Sequence, residues 1–163
     1  MAGETEEKSS YTDENYKYYN SATGSFTYIG DDISGTQYDV AHVKWGNGAR
    51  MPTIAEAIEL LEKCQWVYRK INGYTGEDVI GPNGNSIFIP YSMGKGDLPF
   101  EKVNRGYYWT GSADVEFRDG FYDIDGCMFY THLENYIYDW YYGEGWSTEW
   151  IPHGFTVRPV KDK

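Results

Sequence analysis

Between Tyr107 and Trp150 the chain carries half of its aromatic rings, out of 17 Tyr, 7 Phe and 6 Trp in 163 residues. From Ala113 to Pro152 it carries nine carboxylates against one arginine, Arg118, which is −8 of the chain's net charge of −11. Tyr and Trp at a water interface give large contact area at low entropic cost, so this mixture is suited to recognition. The candidate contact rings are Phe117, Tyr122, Tyr130, Tyr136, Tyr138, Trp140, Tyr142, Trp146 and Trp150. The candidate polar contacts are Asp114, Glu116, Arg118, Asp123, His132 and Glu149. Some rings must fill a core beside Ile124, Met128, Leu133 and Ile137. However, Tyr136, Tyr138, Trp140 and Tyr142 alternate with Ile137, Asp139 and Tyr141, and a strand sends these two sets to opposite faces. Every buried Tyr also needs a partner for its hydroxyl. A binding surface therefore outweighs a purely structural use of these rings.

Other chemistries find less support. Two acids about 5 to 10 Å apart would serve glycoside hydrolysis, but nine acids in 40 residues bring some pairs together by chance, and solvated surface charge takes precedence. Asp123-Ile124-Asp125-Gly126 has the look of a calcium loop. An EF-hand would need an acid or amide at 121 and Glu at 132, where Phe121 and His132 stand. An irregular calcium site stays open without support from the spacing, and no cofactor is expected. His42, His132 and His153 lack metal spacing. Cys64 falls on an apolar stripe, and whether it pairs with Cys127 is left open. No Gly-x-Ser-x-Gly, P-loop or dinucleotide fingerprint occurs.

These residues need a scaffold. At 163 residues the chain reads as one domain, and its aromatic content excludes a disordered acidic tail. Phosphate binding needs clustered Lys and Arg, so the acidity argues against nucleic acid and against an anionic membrane surface. No apolar run approaches the roughly 18 residues of a membrane helix, and no leader is visible at the N-terminus. Residues 1–24 lack Leu, Ile, Val and Phe and read as a loose polar arm, leaving 25–163 as the folded domain. Ser25–Ile29 is a short strand candidate, and Tyr38–Trp45 suits a short helix ended by Gly46. Thr53 and Glu56 form a capping box ahead of a stripe of Ile54, Ala57, Ile58, Leu61 and Cys64. Short strands follow at Trp66–Arg69, Asp78–Ile80, Ser86–Pro90, Tyr107–Thr110 and Phe155–Val160, with turns at Asn72-Gly73 and Gly81–Asn85. Helices early and strands late point to an α+β fold.

Several blocks in order carry a resemblance: Asp32–Ala41, Trp45-Gly46, Arg50–Thr53 with Glu56, Leu60-Leu61 and Cys64, then Gly81–Pro90, Gly106–Trp109 and Gly154–Val160. Over about residues 29–160 the chain resembles the Fibrobacter-type major paralogous domain of Bacteroides-group gut bacteria. The resemblance implies a C-type-lectin-like fold, related to that of formylglycine-generating enzymes. It further implies two packed helices (about 37–45 and 53–64) and two small antiparallel sheets, with the first and last strands paired. Variable proteins diversified by retroelements share this fold and vary a C-terminal stretch, which here is 113–152. Ala49 stands where the family usually has Trp, and Thr110-Gly111 where it has Ser-Ser. Cys64 matches neither cysteine of the formylglycine chemistry, so that activity is not carried over.

The expectation is therefore a non-catalytic ligand-binding domain of adhesin or receptor-binding type, its surface at 113–152 open to hypervariation. Its partner would be a protein or glycan on a cell or phage surface, without membrane insertion, and the resemblance implies an extracellular or cell-surface location. The competing expectations are a carbohydrate-active or protein-modifying enzyme on the same fold, and a structural surface-assembly subunit.

Overall fold

The computed structural model describes residues 12–92, 105–132 and 145–161. Among the described residues, two α-helices and four small sheets make a mixed α+β fold, and no helix is long and apolar enough to cross a membrane.

The chain enters through a 3-10 turn, Asp13–Asn15, and a short hairpin of β1 (Tyr19–Asn20) and β2 (Ser25–Phe26). The described part of the expected loose arm is thus ordered. Tyr16 is buried and meets Phe26 edge-on at 5.7 Å, and Tyr18 meets Tyr38 at 5.4 Å. Tyrosine performs the packing there that aliphatic residues would otherwise perform.

Helix α1 (Val40–Trp45) is short and owes its place to Asp39. The fully buried carboxylate accepts from the amides of Ala41 (2.7 Å) and His42 (3.1 Å) at the helix start, and from Gly35 and Met51 (both 2.8 Å). One side chain therefore satisfies four backbone donors from three stretches of chain. Strand β3 (Ala49–Arg50) leads to α2 (Ile54–Lys63). The expected capping box is present: the amide of Glu56 donates to Thr53 Oγ1 (3.2 Å) and that of Thr53 to Glu56 Oε2 (2.9 Å).

A three-stranded antiparallel sheet follows, of β4 (Gln65–Ile71), β5 (Tyr74–Ile80) and β6 (Ser86–Pro90), in that order. Asn72 and Gly73 both take positive φ (51° and 88°), the geometry a two-residue hairpin turn requires. The central sheet runs β10 (Thr156–Val157), β7 (Arg105–Arg118), β8 (Phe121–His132) and β9 (Gly145–Trp150). Side chains alternate across it. Tyr107, Trp109 and Met128 turn to one face, where Val40, Ala41, Met51 and Phe155 complete a cluster. Tyr108 and Phe129 turn to the other, stacked at 5.1 Å and 14° over Ala57, Val79 and Ile89.

Two expectations about the C-terminal strand are corrected. Phe155–Val160 is not one strand: β10 pairs parallel with β7, and β11 (Val160–Lys161) pairs antiparallel with β3. Pro159, without an N–H for either ladder, falls at the transfer. The last strand therefore pairs with Ala49–Arg50 and not with the first.

Candidate functional site

Strands β7 and β8 form a long hairpin whose tip is Asp119-Gly120, with φ of 51° and 89°. At its base the pairing shifts register between Trp109 and Ala113, and this irregular stretch is clamped from two sides. The amide of Ile54, at the start of α2, donates to Ser112 Oγ (3.0 Å), and the amide of Gly111 donates to the Pro52 carbonyl (2.8 Å). From the other side, the Ile33 amide donates to the Gly111 carbonyl and the Ala113 amide to the Asp31 carbonyl (both 2.8 Å). Trp109 Nε1 donates to the His153 carbonyl (3.1 Å), and Thr110 Oγ1 to that of Cys127 (2.7 Å). Gly126 has no Cβ because one would stand 2.5 Å from the buried Trp109 ring. Beyond Ala113 these clamps end.

The register past the clamp divides the hairpin into two faces. Ala113, Val115 and Phe117 lie opposite Gly126, Ile124 and Tyr122. Ile124 is buried against the N-terminal segment, where a cavity of about 50 Å³ is lined by Tyr16, Phe26, Ile33 and Trp109 among others. Further out the rings emerge: Phe117 is 65 % exposed and Tyr122 40 %, with centroids 5.0 Å apart. Tyr28, also exposed, stacks on Tyr122 at 4.8 Å and 17°. Its hydroxyl donates to Asp31 Oδ1 (2.8 Å), and that bond holds the phenol pKa above its usual value. The result is a ridge of three rings in series.

The opposite face is acidic. Asp114 lies across from Asp125 and Glu116 across from Asp123, with Arg118 the one cation, paired to Glu116. Like charges directly opposed weaken a strand pair, so this face is not built for hairpin stability. Cys127 continues it inward as a buried free thiol. Burial first, then Asp114, Asp125 and Asp32, push its pKa up to about 11, so at neutral pH it is not a nucleophile. Cys64 is also free, which settles the pairing left open by the sequence. Asp123 and Asp125 lie on extended strand and not in a loop, and among the described residues no group of three acidic, His or Cys side chains could hold a metal ion.

The expected contact residues divide accordingly. Phe117 and Tyr122 come together on one face of the hairpin, and Asp114, Glu116, Arg118 and Asp123 on the other. Trp146 is half exposed on β9, opposite Phe129, away from the ridge. Tyr130 is half-buried and packs against the Trp109 cluster. His132, Glu149 and Trp150 lie in strands, the latter two across from Gly126 and Asp125. Their side chains fall outside the described residues, as do Tyr136, Tyr138, Trp140 and Tyr142 entirely. Tyr28 and Asp31 were not expected. They lie some 90 residues before Tyr122, and no local pattern announces a ring pair across that separation. His153 is buried, its ring 5.8 Å from that of Phe155. No protein-family model, curated protein or solved structure matches the chain.

Proposed function

We propose that the chain is a non-catalytic ligand-binding domain of adhesin or receptor-binding type, on a C-type-lectin-like scaffold acting outside the cell or at its surface. The ligand is a protein or glycan on a cell or phage surface, and the β7–β8 hairpin contributes to the contact. The observation that carries this reading is the Tyr28–Tyr122–Phe117 ridge. Two exposed rings of the hairpin and Tyr28 of the N-terminal segment stand in series in water, and the hairpin's base is fixed by the α2 N-terminus and by residues 31–33. Aromatic anchors on a pre-ordered element bind without the entropic cost of ordering it. The acidic face adds electrostatic steering toward cationic partners.

The test is to screen the wild-type chain and a Phe117→Ala/Tyr122→Ala variant on glycan and bacterial surface-protein arrays. Any ligand found should lose about 2 kcal/mol or more of affinity, roughly thirtyfold, in the variant. Unchanged affinity, with the near-UV circular dichroism of the core retained, would remove the hairpin from the site.

A further inference from the structure

A second concavity, of about 340 Å³, lies between α2, β6, β8 and the C-terminal strand and shares no residue with the hairpin ridge. Its size falls within the range of small-molecule sites. Ala57, Leu60, Ile89 and Phe129 make an apolar floor, and Ile87, 43 % exposed, stands on β6 beside it. Three charged residues complete the lining: Glu56, Arg158 and Lys161.

Their charges do not cancel. Both oxygens of Glu56 are already taken by Arg50, at 2.7 Å each. The side chains of Arg158 and Lys161 make no hydrogen bond or ion pair among the described residues. In a chain of net charge −11, this groove therefore carries two cations that no described side chain pairs with, beside a hydrocarbon floor. A simple anion would leave the floor wet, and a neutral hydrocarbon would leave the cations unused. At about 30 Å³ per water-sized unit, the space suits roughly eleven heavy atoms, which is a small molecule and not a folded peptide element.

We propose that this groove binds an amphipathic monocarboxylate, with its apolar body on Ala57, Leu60, Ile89 and Phe129 and its carboxylate between Arg158 and Lys161. Burial of each methylene then strengthens binding about fourfold, until the floor is covered. The two cations supply charge-assisted hydrogen bonds and select the anion over its neutral or cationic analogue.

The test titrates the full chain with sodium octanoate while recording methyl NMR spectra, with hexanoate, octanol and octylammonium as comparison arms. Octanoate should shift the methyls of Leu60, Ile87, Ile89 and Val160. Hexanoate should bind about fifteenfold more weakly, and octanol and octylammonium at least tenfold more weakly. Arg158→Gln/Lys161→Gln should lower octanoate affinity about tenfold with the chain-length dependence kept. Ile87→Glu, an exposed change that puts a carboxylate beside the floor, should abolish binding. Four results would each overturn the proposal. These are no shift at about 10 mM octanoate, shifts confined to another surface, octanoate affinity unchanged in the double variant, and octylammonium binding as tightly as octanoate. A concentration-dependent dimer in light scattering that protects these methyls and resists octanoate would instead give the groove to a second copy of the chain.

Discussion

Glu56 performs two tasks with one carboxylate. It closes the capping box with Thr53 and takes both nitrogens of the Arg50 guanidinium, tying β3 to the start of α2. The Arg50 bonds first, and then the Thr53 amide, overcome the opposing effect of burial and hold its pKa at about 2 against an ordinary 4.5. A depressed carboxylate stabilises the fold fully above its unfolded pKa, and that contribution fades as pH falls from about 4.5 toward about 2. The side chain is 41 % exposed, so solvent screening limits the effect to about 1 kcal/mol. Glu56→Gln, which keeps a capping side chain, should cost that much in urea unfolding at pH 7 and almost nothing near pH 2. A pH-independent difference would show that the ion pair contributes nothing. The capping half of this arrangement was readable from Thr53-x-x-Glu56, because both members lie within one helical turn. The Arg50 half was not, since it depends on where β3 places a residue outside the helix. Asp39 was similarly hidden, since it falls inside the helix expected over Tyr38–Trp45 and its bonds from Gly35 and Met51 depend on the fold.

The β7–β8 hairpin is where the expectation from sequence was least complete. Asp119-Gly120 is the same turn signal as Asn72-Gly73, and Asp114–Phe117 and Tyr122–Asp125 alternate acid with apolar as a two-faced strand pair should. The sequence marks Asp114, Glu116, Phe117, Arg118, Tyr122 and Asp123 as contact residues, but not that one hairpin divides them between two faces. A strand is legible in the sequence where a short apolar run is bounded by turns, as at Ser86–Pro90. Its length is not legible where polar residues extend the pairing, as in β7. The opposed acids give the hairpin a measurable weakness. Asp123→Asn removes one member of the Glu116–Asp123 pair and should stabilise the protein by about 0.5 kcal/mol, read as a higher urea midpoint at constant m-value. A loss of stability would mean that Asp123 has a cationic partner worth more than the repulsion. A charged edge also discourages edge-to-edge association of hairpins, which is a use for these acids whether or not a ligand is bound.

Across the molecule, −11 charges must be held together by two aromatic clusters on either side of one sheet. Self-repulsion of that size lowers stability most at low ionic strength. Raising NaCl from about 10 mM to about 200 mM should lift Tm by about 2–4 °C, equivalent to about 1 kcal/mol. A fall in Tm would show that attractive pairs such as Arg50–Glu56 outweigh the repulsion. The α+β character was readable because helical and strand periodicities occupy separate parts of the chain. The sheet order was not, because pairings such as β10 with β7 and β11 with β3 join residues remote in sequence.

Those pairings also determine when the molecule can exist. Phe155 stacks on Tyr107 at 5.3 Å and closes the Trp109 cluster, β10 borders the central sheet, and β11 covers Ala49 and Arg50. A nascent chain that has emerged only as far as β8 has the helices and the hairpin but an unsealed core with a bare sheet edge. Such intermediates are prone to aggregate. Folding is therefore completed only after residues 155–161 have left the ribosome. Until then the unpaired strand edge is open to pairing with a neighbouring chain.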